Sequence, residues 1–193
     1  MKLEDRLRKI IAGLPIVLYQ THTLLGVELN LGVRGVERRA MVNPADLEGK
    51  RVLDLGCASG AESFWAMEQG AVEVLGIDLH QEHISICEQL RAEYNHTMFR
   101  PCFRQFDLSR VIPDGIGEFD TVFAFALTQY INYRKVWRDV QGARVAYVEG
   151  GGDCTFSAKD LSDSEWAATL IGRTPGCRAK HFPDRPLFRL ERR

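Results

Sequence analysis

The sequence of 193 residues predicts a doubly wound α/β fold: a mostly parallel, seven-stranded sheet with an antiparallel edge strand and helices on both faces. From residue 50 onward, short apolar strands alternate with helical segments of about 10–15 residues, a pattern typical of parallel sheets with helical crossovers. The longest apolar run, 122–127, has the character of a strand covered on both faces. Two strands that end the chain with no helix between them predict the antiparallel edge.

The first 48 residues predict a helix followed by a lid. Leu3 and Leu7 fall on one face of a helix over 1–12, which ends before Gly13. Residues 16–48 mix apolar and polar side chains without a clear period. We therefore expect an N-terminal helix and lid segment over 1–48, and the main domain over 49–193.

The main domain is predicted element by element. The expected strands lie at 52–55, 72–79, 103–106, 121–126, 144–148, 178–182 and 187–190. Helices are expected after the first, second and fourth strands. A further helix is predicted over 162–172, because Ser162 and Glu165 have the spacing of a capping box.

Composition and charge exclude several function classes. The formal net charge is −1, so no overall field draws the chain to nucleic acid or to a membrane, although a local basic face stays possible. The five cysteines form no CxxC pair and predict neither a disulfide framework nor a metal site. The N-terminus lacks the apolar core of a signal peptide. We expect a cytoplasmic protein without a membrane partner, and its oligomeric state stays open.

Acidic residues stand at the ends of three successive predicted strands. The first strand contains Asp54 and runs into the small-residue loop 56–60, while Asp78 and Asp107 end the next two strands. Ligands of such sheets bind at the carboxyl ends of the strands. Small residues let a backbone approach a ligand closely, and a carboxylate can hold both hydroxyls of a ribose. The three positions together predict a ligand that contains adenosine.

The loop decides between two such ligands. A dinucleotide fold requires G-x-G-x-x-G, whereas this chain has Ala58 and Ala61 in place of the second and third glycines. A nicotinamide-dependent oxidoreductase is therefore the weaker alternative.

The loop resembles motif I of the class I S-adenosylmethionine-dependent methyltransferases, with Ala58 replacing the middle glycine. That resemblance implies a Rossmann-like fold and S-adenosylmethionine as cofactor. It implies that 56–60 lies against the methionine part, that Asp54 holds its amino group, that Asp78 grips the ribose and that Asp107 meets the adenine amino group. The full set of expected cofactor-binding residues is Tyr19, Gln20, Asp54, Gly56, Cys57, Ala58, Gly60, Asp78, Leu79, Phe106, Asp107, Leu108, Ala124 and Phe125.

A narrower resemblance concerns the bacterial family that modifies the wobble uridine of tRNA. The segments 19–21, 64–66 and 119–123 read Tyr-Gln-Thr, Phe-Trp-Ala and Phe-Asp-Thr-Val-Phe, and are similar to that family and its relatives of unknown substrate.

The acceptor is less well defined. No Asn/Asp-Pro-Pro-Tyr/Phe follows the fourth strand, so the chain resembles the members that act on small molecules, with Tyr130 at the rim of the acceptor site. Tyr130 and His22 are the candidate catalytic residues, each alternatively a packing residue. We expect a methyltransferase acting on a small molecule or an exposed nucleoside, or alternatively a non-catalytic module that serves as a partner subunit. Arg34, Arg38 and Arg39 are expected to form a solvated charged face, with binding of an acceptor phosphate or carboxylate as the alternative.

Overall fold

The computed structural model describes residues 1–14, 18–32, 34, 36–94, 100–109, 116–127, 140–150, 156–175 and 184–193. No helix within these ranges is long and apolar enough to cross a membrane.

The N-terminal segment begins with the predicted helix, α1 (Leu3–Gly13), and continues into a short hairpin of β1 (Thr23–Leu24) and β2 (Val27–Glu28). Two 3-10 turns follow, at Glu37–Met41 and Pro44–Asp46. Apolar side chains from the first part of this segment pack on the main domain in one cluster of buried residues: Leu7, Leu18, Leu29, Phe64, Ile86 and Leu90. Val42 and Leu47 join a second cluster with the sheet. The division into two segments at residue 48 therefore remains a prediction, and the two segments share a continuous apolar contact.

The main sheet has seven strands: β3 (Arg51–Leu55), β4 (Glu73–Asp78), β5 (Cys102–Gln105), β6 (Thr121–Phe125), β7 (Val145–Glu149), β8 (Trp166–Thr174) and β9 (Arg185–Arg192). Their order is β5-β4-β3-β6-β7-β9-β8, and the first five are parallel to one another. This arrangement confirms the predicted fold class.

Side chains alternate between the two faces of the sheet, as the pleat of a strand requires. Leu53, Ile77 and Val122 pack in one apolar layer, whereas Val52 and Phe123 pack in the other. Both faces are therefore buried, in agreement with the apolar character of β6.

In the main domain, the described helices are α2 (Ala61–Glu68), α3 (Gln81–Glu93) and α4 (Ala158–Leu161). The first two follow β3 and β4, as predicted. The helix predicted around 136–140 and the strand predicted at 178–182 fall mainly or wholly outside the described residues.

The antiparallel strand is β9, and it lies between β7 and β8 rather than at the edge. Leu187 pairs with Glu149 of β7, and Phe188 pairs with Leu170 of β8. The edge strand β8 is thus parallel to the first five strands.

The helix predicted over 162–172 is wrong, because this segment forms most of β8. The Asp163 side chain accepts hydrogen bonds of 2.8 Å from the backbone N–H groups of Glu165 and Trp166, which makes a turn into a strand. Long-range pairing with β9 then outweighs the local helix signal. The capping box that forms is earlier, at Ser157 and Asp160, and opens α4.

Candidate functional site

The loop after β3 has the backbone shape that its small residues permit. Gly56, Ala58 and Gly60 have φ angles of +66°, +47° and +82°, a region that favours glycine. A Cβ on Gly60 would lie 2.9 Å from the Phe103 ring and 3.0 Å from the Cys87 sulfur. Position 60 therefore requires glycine, both because its φ is positive and because a Cβ would be too close to its neighbours. Helix α2 begins directly after it.

Asp78 is tied to this loop. One of its carboxylate oxygens accepts a hydrogen bond of 2.9 Å from the Ala58 N–H, and the other accepts bonds from the His80 N–H and the His83 ring at 2.9 and 3.0 Å. Burial raises the pKa of Asp78, but the hydrogen bonds outweigh burial and the net pKa is lowered. Asp78 is thus ionised at neutral pH and holds the loop after the neighbouring strand.

Two lid residues reach the same loop. The side-chain oxygen of Gln20 accepts hydrogen bonds from the Ser59 hydroxyl at 3.2 Å and from the Ala61 N–H at 3.3 Å. Gly60, at the N-cap of α2, has no side chain to serve this purpose, so Gln20 supplies the acceptor.

His22 lies beside Gln20, and its Nε2 is 2.9 Å from the Ser59 oxygen. Because the Ser59 proton is directed at Gln20, this arrangement assigns a proton to Nε2 of His22. Burial and the positive charge of Arg39 lower the pKa of His22 to about 3. His22 is therefore neutral at neutral pH.

Asp54 is buried under the same loop and accepts a hydrogen bond of 2.6 Å from the Ser63 hydroxyl. Burial raises its pKa to about 7, because the low-dielectric interior disfavours the charged carboxylate. Its neighbour Cys57 is fully buried, and the thiols of Cys57 and Cys87 both donate to the Ala58 carbonyl oxygen, at 3.9 and 3.3 Å.

The residues predicted for the adenine side lie at the ends of β4 and β5. Asp107 accepts a hydrogen bond of 2.9 Å from the Ser109 N–H, and Phe106 and Leu108 on either side are half-buried. Leu79, next to Asp78, is 52% exposed at the rim.

Two predicted contacts at the end of β6 lie in the interior instead of at an open rim. Ala124 is buried in the core, and the Phe125 ring packs on Phe123 at 4.9 Å between centroids. The Arg38 guanidinium lies 4.6 Å from the centroid of the Phe125 ring, so this side chain carries a buried cation on its face.

The solvated charged face predicted for Arg34, Arg38 and Arg39 is wrong, since none of these side chains is more than 9% exposed. They are paired with two buried carboxylates, Glu62 of α2 and Glu149 at the end of β7. Sequence periodicity did not reveal these partners, which lie 23 to 115 residues away along the chain.

Glu149 was missed, although a signal for it exists. It ends a parallel strand just as Asp78 does, so the rule that selected the strand-terminal aspartates also applies to it. Ser63 and Leu127 were missed as well. Ser63 donates to Asp54, and Leu127 fills the space that a Cβ on Gly56 would occupy; both contacts depend on tertiary structure.

The structure therefore brings Gln20, His22, Asp54 and Asp78 to the loop 56–60, and places Asp107 two strands away at the same edge. Tyr19 is partly exposed, and its hydroxyl accepts a hydrogen bond of 3.3 Å from Arg185. Tyr130 lies outside the described residues. The functional roles of all these residues remain predictions.

Comparison with known proteins agrees with the fold and the loop. A family profile described as "Methyltransferase domain" matches residues 52–151, which include most of β3, the loop and Asp78. The chain belongs to this family and is a member of the class I S-adenosylmethionine-dependent methyltransferases.

Two kinds of curated relative share part of the sequence. The chain is 30% identical over 122 residues to a tRNA U34 carboxymethyltransferase of Pseudomonas savastanoi pv. phaseolicola, covering 63% of this chain and 37% of that protein. It is 27% identical over 126 residues to a ubiquinone biosynthesis O-methyltransferase of Bordetella avium, covering 65% of this chain and 49% of that protein. The match thus spans half or less of the length of these relatives.

Solved structures show the same fold at low identity. The bifunctional kinase-methyltransferase WbdD aligns with a TM-score of 0.71 and 21% identity, covering 96% of this chain and 46% of that chain. The magnesium protoporphyrin IX methyltransferase ChlM from Synechocystis, with bound SAM, aligns with a TM-score of 0.62 and 20% identity, covering 80% of this chain and 76% of that chain.

Proposed function

We propose that this protein transfers a methyl group from S-adenosylmethionine to a small molecule or an exposed nucleoside. The observation that carries the proposal is the hydrogen bond between the Ala58 N–H and the Asp78 carboxylate, which fixes the glycine loop against the acid expected to hold the ribose. Family membership supports the cofactor, and the two curated relatives support the two acceptor classes.

The residues fit this cofactor chemically. Asp78 is ionised and has accepting capacity beyond its three hydrogen bonds, since a carboxylate offers about four lone-pair sites. Asp54 and Asp107 add acceptors on either side of it. Leu79, Phe106 and Leu108 supply apolar surface for a purine.

When bound, S-adenosylmethionine supplies a methyl group already activated on a sulfonium, so the protein mainly positions the acceptor. A pKa of about 3 makes His22 a poor general base at neutral pH. We assign it a positioning role, in which it holds Ser59 and hence the loop. Tyr130 stays the candidate for the acceptor side.

Isothermal titration calorimetry with S-adenosylmethionine, S-adenosylhomocysteine and NAD tests the cofactor. We expect binding of the first two and none of NAD; binding of NAD alone would contradict the proposal. Production of S-adenosylhomocysteine from S-adenosylmethionine with quinol, carboxylate or nucleoside acceptors then tests transfer.

A non-catalytic partner subunit is the second candidate. It is favoured by the match to less than half of WbdD, a bifunctional protein. An Asp78→Ala variant that loses cofactor binding but keeps the biological role would favour this second candidate over methyl transfer.

A further inference from the structure

Four arginines are gathered at the carboxyl edge of the sheet. The arginine cluster consists of Arg34, Arg38, Arg39 and Arg185, none more than 9% exposed. Its counter-ions are Glu62 and Glu149, which are 1% and 0% exposed. Arg39 and Arg38 bind Glu62 at 2.9 and 3.0 Å, and Arg38 and Arg34 bind Glu149 at 3.0 and 3.2 Å.

In the part of the chain that the structure describes, the arginine cluster has fewer direct carboxylate partners than guanidinium groups. Guanidinium groups stay protonated in proteins, so four positive charges face two negative ones. Asp54 and Glu68 lie near Arg38 and Arg39, and burial raises the pKa of both carboxyls, which disfavours the ionised forms that would balance the cluster. Burial and the neighbouring Arg185 and Arg38 lower the pKa of Arg34, although Glu149 opposes them. A buried charge without a counter-ion is costly, and an anion from outside would offset that cost.

Among the described residues, Arg185 is the member of the cluster that has no carboxylate at hydrogen-bond distance. The Glu149 carboxylate is already occupied by Arg34, Arg38 and the Thr174 hydroxyl, the last at 2.6 Å. Arg185 lies 3.8 Å from Glu149, beyond hydrogen-bond distance, and donates instead to the Tyr19 hydroxyl. Its Nε is buried and has no hydrogen-bond partner among the described residues.

The position of Arg185 separates it from the acidic residues and the loop expected to bind the cofactor, although its partner Tyr19 belongs to the same expected set. Asp107, Asp78 and the glycine loop follow β5, β4 and β3, whereas Arg185 begins β9, on the far side of β6 and β7. With neighbouring strands about 4.8 Å apart, three strand spacings separate β9 from β3 by roughly 14 Å. This is the half of the edge left for the acceptor.

We propose that Arg185, with Tyr19 beside it, forms an anion subsite that binds a carboxylate or phosphate group of the methyl acceptor. The inference rests on the proposed function, since it concerns the acceptor half of the same site. A guanidinium with a free Nε–H suits both anions, because its donors match two anion oxygens at once. The other possible source of the anion is the carboxylate of the cofactor itself.

The test uses inorganic phosphate as the probe, titrated by calorimetry into the chain saturated with S-adenosylhomocysteine. We expect Arg185→Gln to weaken phosphate binding roughly ten- to hundredfold, as loss of charge-assisted hydrogen bonds does. Arg185→Lys should recover part of it, and affinity for S-adenosylhomocysteine should stay within about threefold. Arg51→Gln, at the opposite end of the sheet in an exposed pair with Glu73, is the matched control.

The outcomes of this titration distinguish an anion of the methyl acceptor from the carboxylate of the cofactor. If Arg185→Gln weakens S-adenosylhomocysteine but not 5′-methylthioadenosine, which lacks the amino-acid carboxylate, the anion belongs to the cofactor and the proposal is overturned. Phosphate binding that is absent from the wild type, or unchanged in the variant, also overturns it. Failure of the wild type to bind S-adenosylhomocysteine refutes the proposed function instead. Circular dichroism and thermal midpoints identify a variant that does not fold, and Tyr19→Phe then replaces it, with weaker phosphate binding expected.

Discussion

The Asp78 carboxylate and the Ala58 N–H are joined by a hydrogen bond of 2.9 Å across the carboxyl ends of β4 and β3. The same carboxylate receives the His80 N–H and the His83 ring. One side chain thus fixes the loop 56–60 and the start of α3.

We expect Asp78→Asn to weaken S-adenosylhomocysteine binding about ten- to hundredfold, because hydrogen bonds to a charged group contribute about 1.5–3 kcal/mol. Isothermal titration calorimetry measures the loss. Glu73→Gln, which removes an exposed carboxylate at the start of β4, should leave the affinity unchanged. Equal affinities of the wild type and Asp78→Asn for S-adenosylhomocysteine would show that Asp78 does not bind the cofactor.

Gly60→Ala should destabilise the fold and weaken cofactor binding. The positive φ of +82° costs an L residue about 1–2 kcal/mol, and the contacts with Phe103 and Cys87 add about 1–3 kcal/mol of overpacking. Gly49→Ala is the matched control, since its φ is +70° but a Cβ there meets nothing within 4 Å. Urea unfolding should show the larger loss for Gly60→Ala, and equal losses would contradict the close contact.

Acid should destabilise the fold through His22. Its folded pKa of about 3 is below the unfolded value of 6.5, so below pH 6.5 the unfolded chain binds a proton that the folded chain does not. Stability from this group is present above pH 6.5 and is lost as the pH falls, by up to about 1.4 kcal/mol per pH unit.

The His22→Asn variant isolates this effect. The difference in free energy of unfolding between wild type and variant should shrink from pH 7.5 to pH 5, as measured by urea unfolding at each pH. Asp54 and His83 also have shifted pKa values, but their contributions to the pH dependence of stability occur in both proteins and largely cancel in this difference. A difference that stays constant with pH would show that His22 is not buried in its neutral form.

Glu149→Gln should destabilise the protein by about 3–5 kcal/mol, because it leaves Arg34 and Arg38 buried beside a neutral group. Glu73→Gln, which breaks the exposed pair Arg51–Glu73, is the control. It should lower the free energy of unfolding by less than about 1 kcal/mol. Denaturant midpoints of the two variants check this, and similar values would mean that Glu149 is solvated.

The sequence predicted the parts of the fold whose signals are local. Apolar runs placed β3, β4, β6 and β7, and the small residues of 56–60 placed the loop. Residues 162–172 carry an equally local capping signal, yet they form a strand because β9 pairs along their length. The β9 partners of this segment lie 15 to 26 residues away, from Gly172–Leu187 to Trp166–Arg192, and the spacing of Ser162 and Glu165 does not reveal them.

The site shows the same division. Asp54 was identified because it lies just before the small-residue loop, and Asp78 because it ends a buried strand; hydrophobic patterning shows both positions. Arg34 and Arg38 were assigned to solvent because charge alone predicts exposure. Their burial follows from Glu62 and Glu149, whose proximity arises only when the lid folds over the sheet.

Gln20 serves as the acceptor for a helix that begins 41 residues later in the chain. The lid is therefore a structural part of the site, because the loop 56–60 and the start of α2 depend on a hydrogen-bond acceptor that the lid supplies. Deleting the segment before residue 37 would leave the first turn of α2 with an unsatisfied N–H and Glu149 without Arg34. Shortened versions made for crystallisation or for fusion to other domains should accordingly keep this segment.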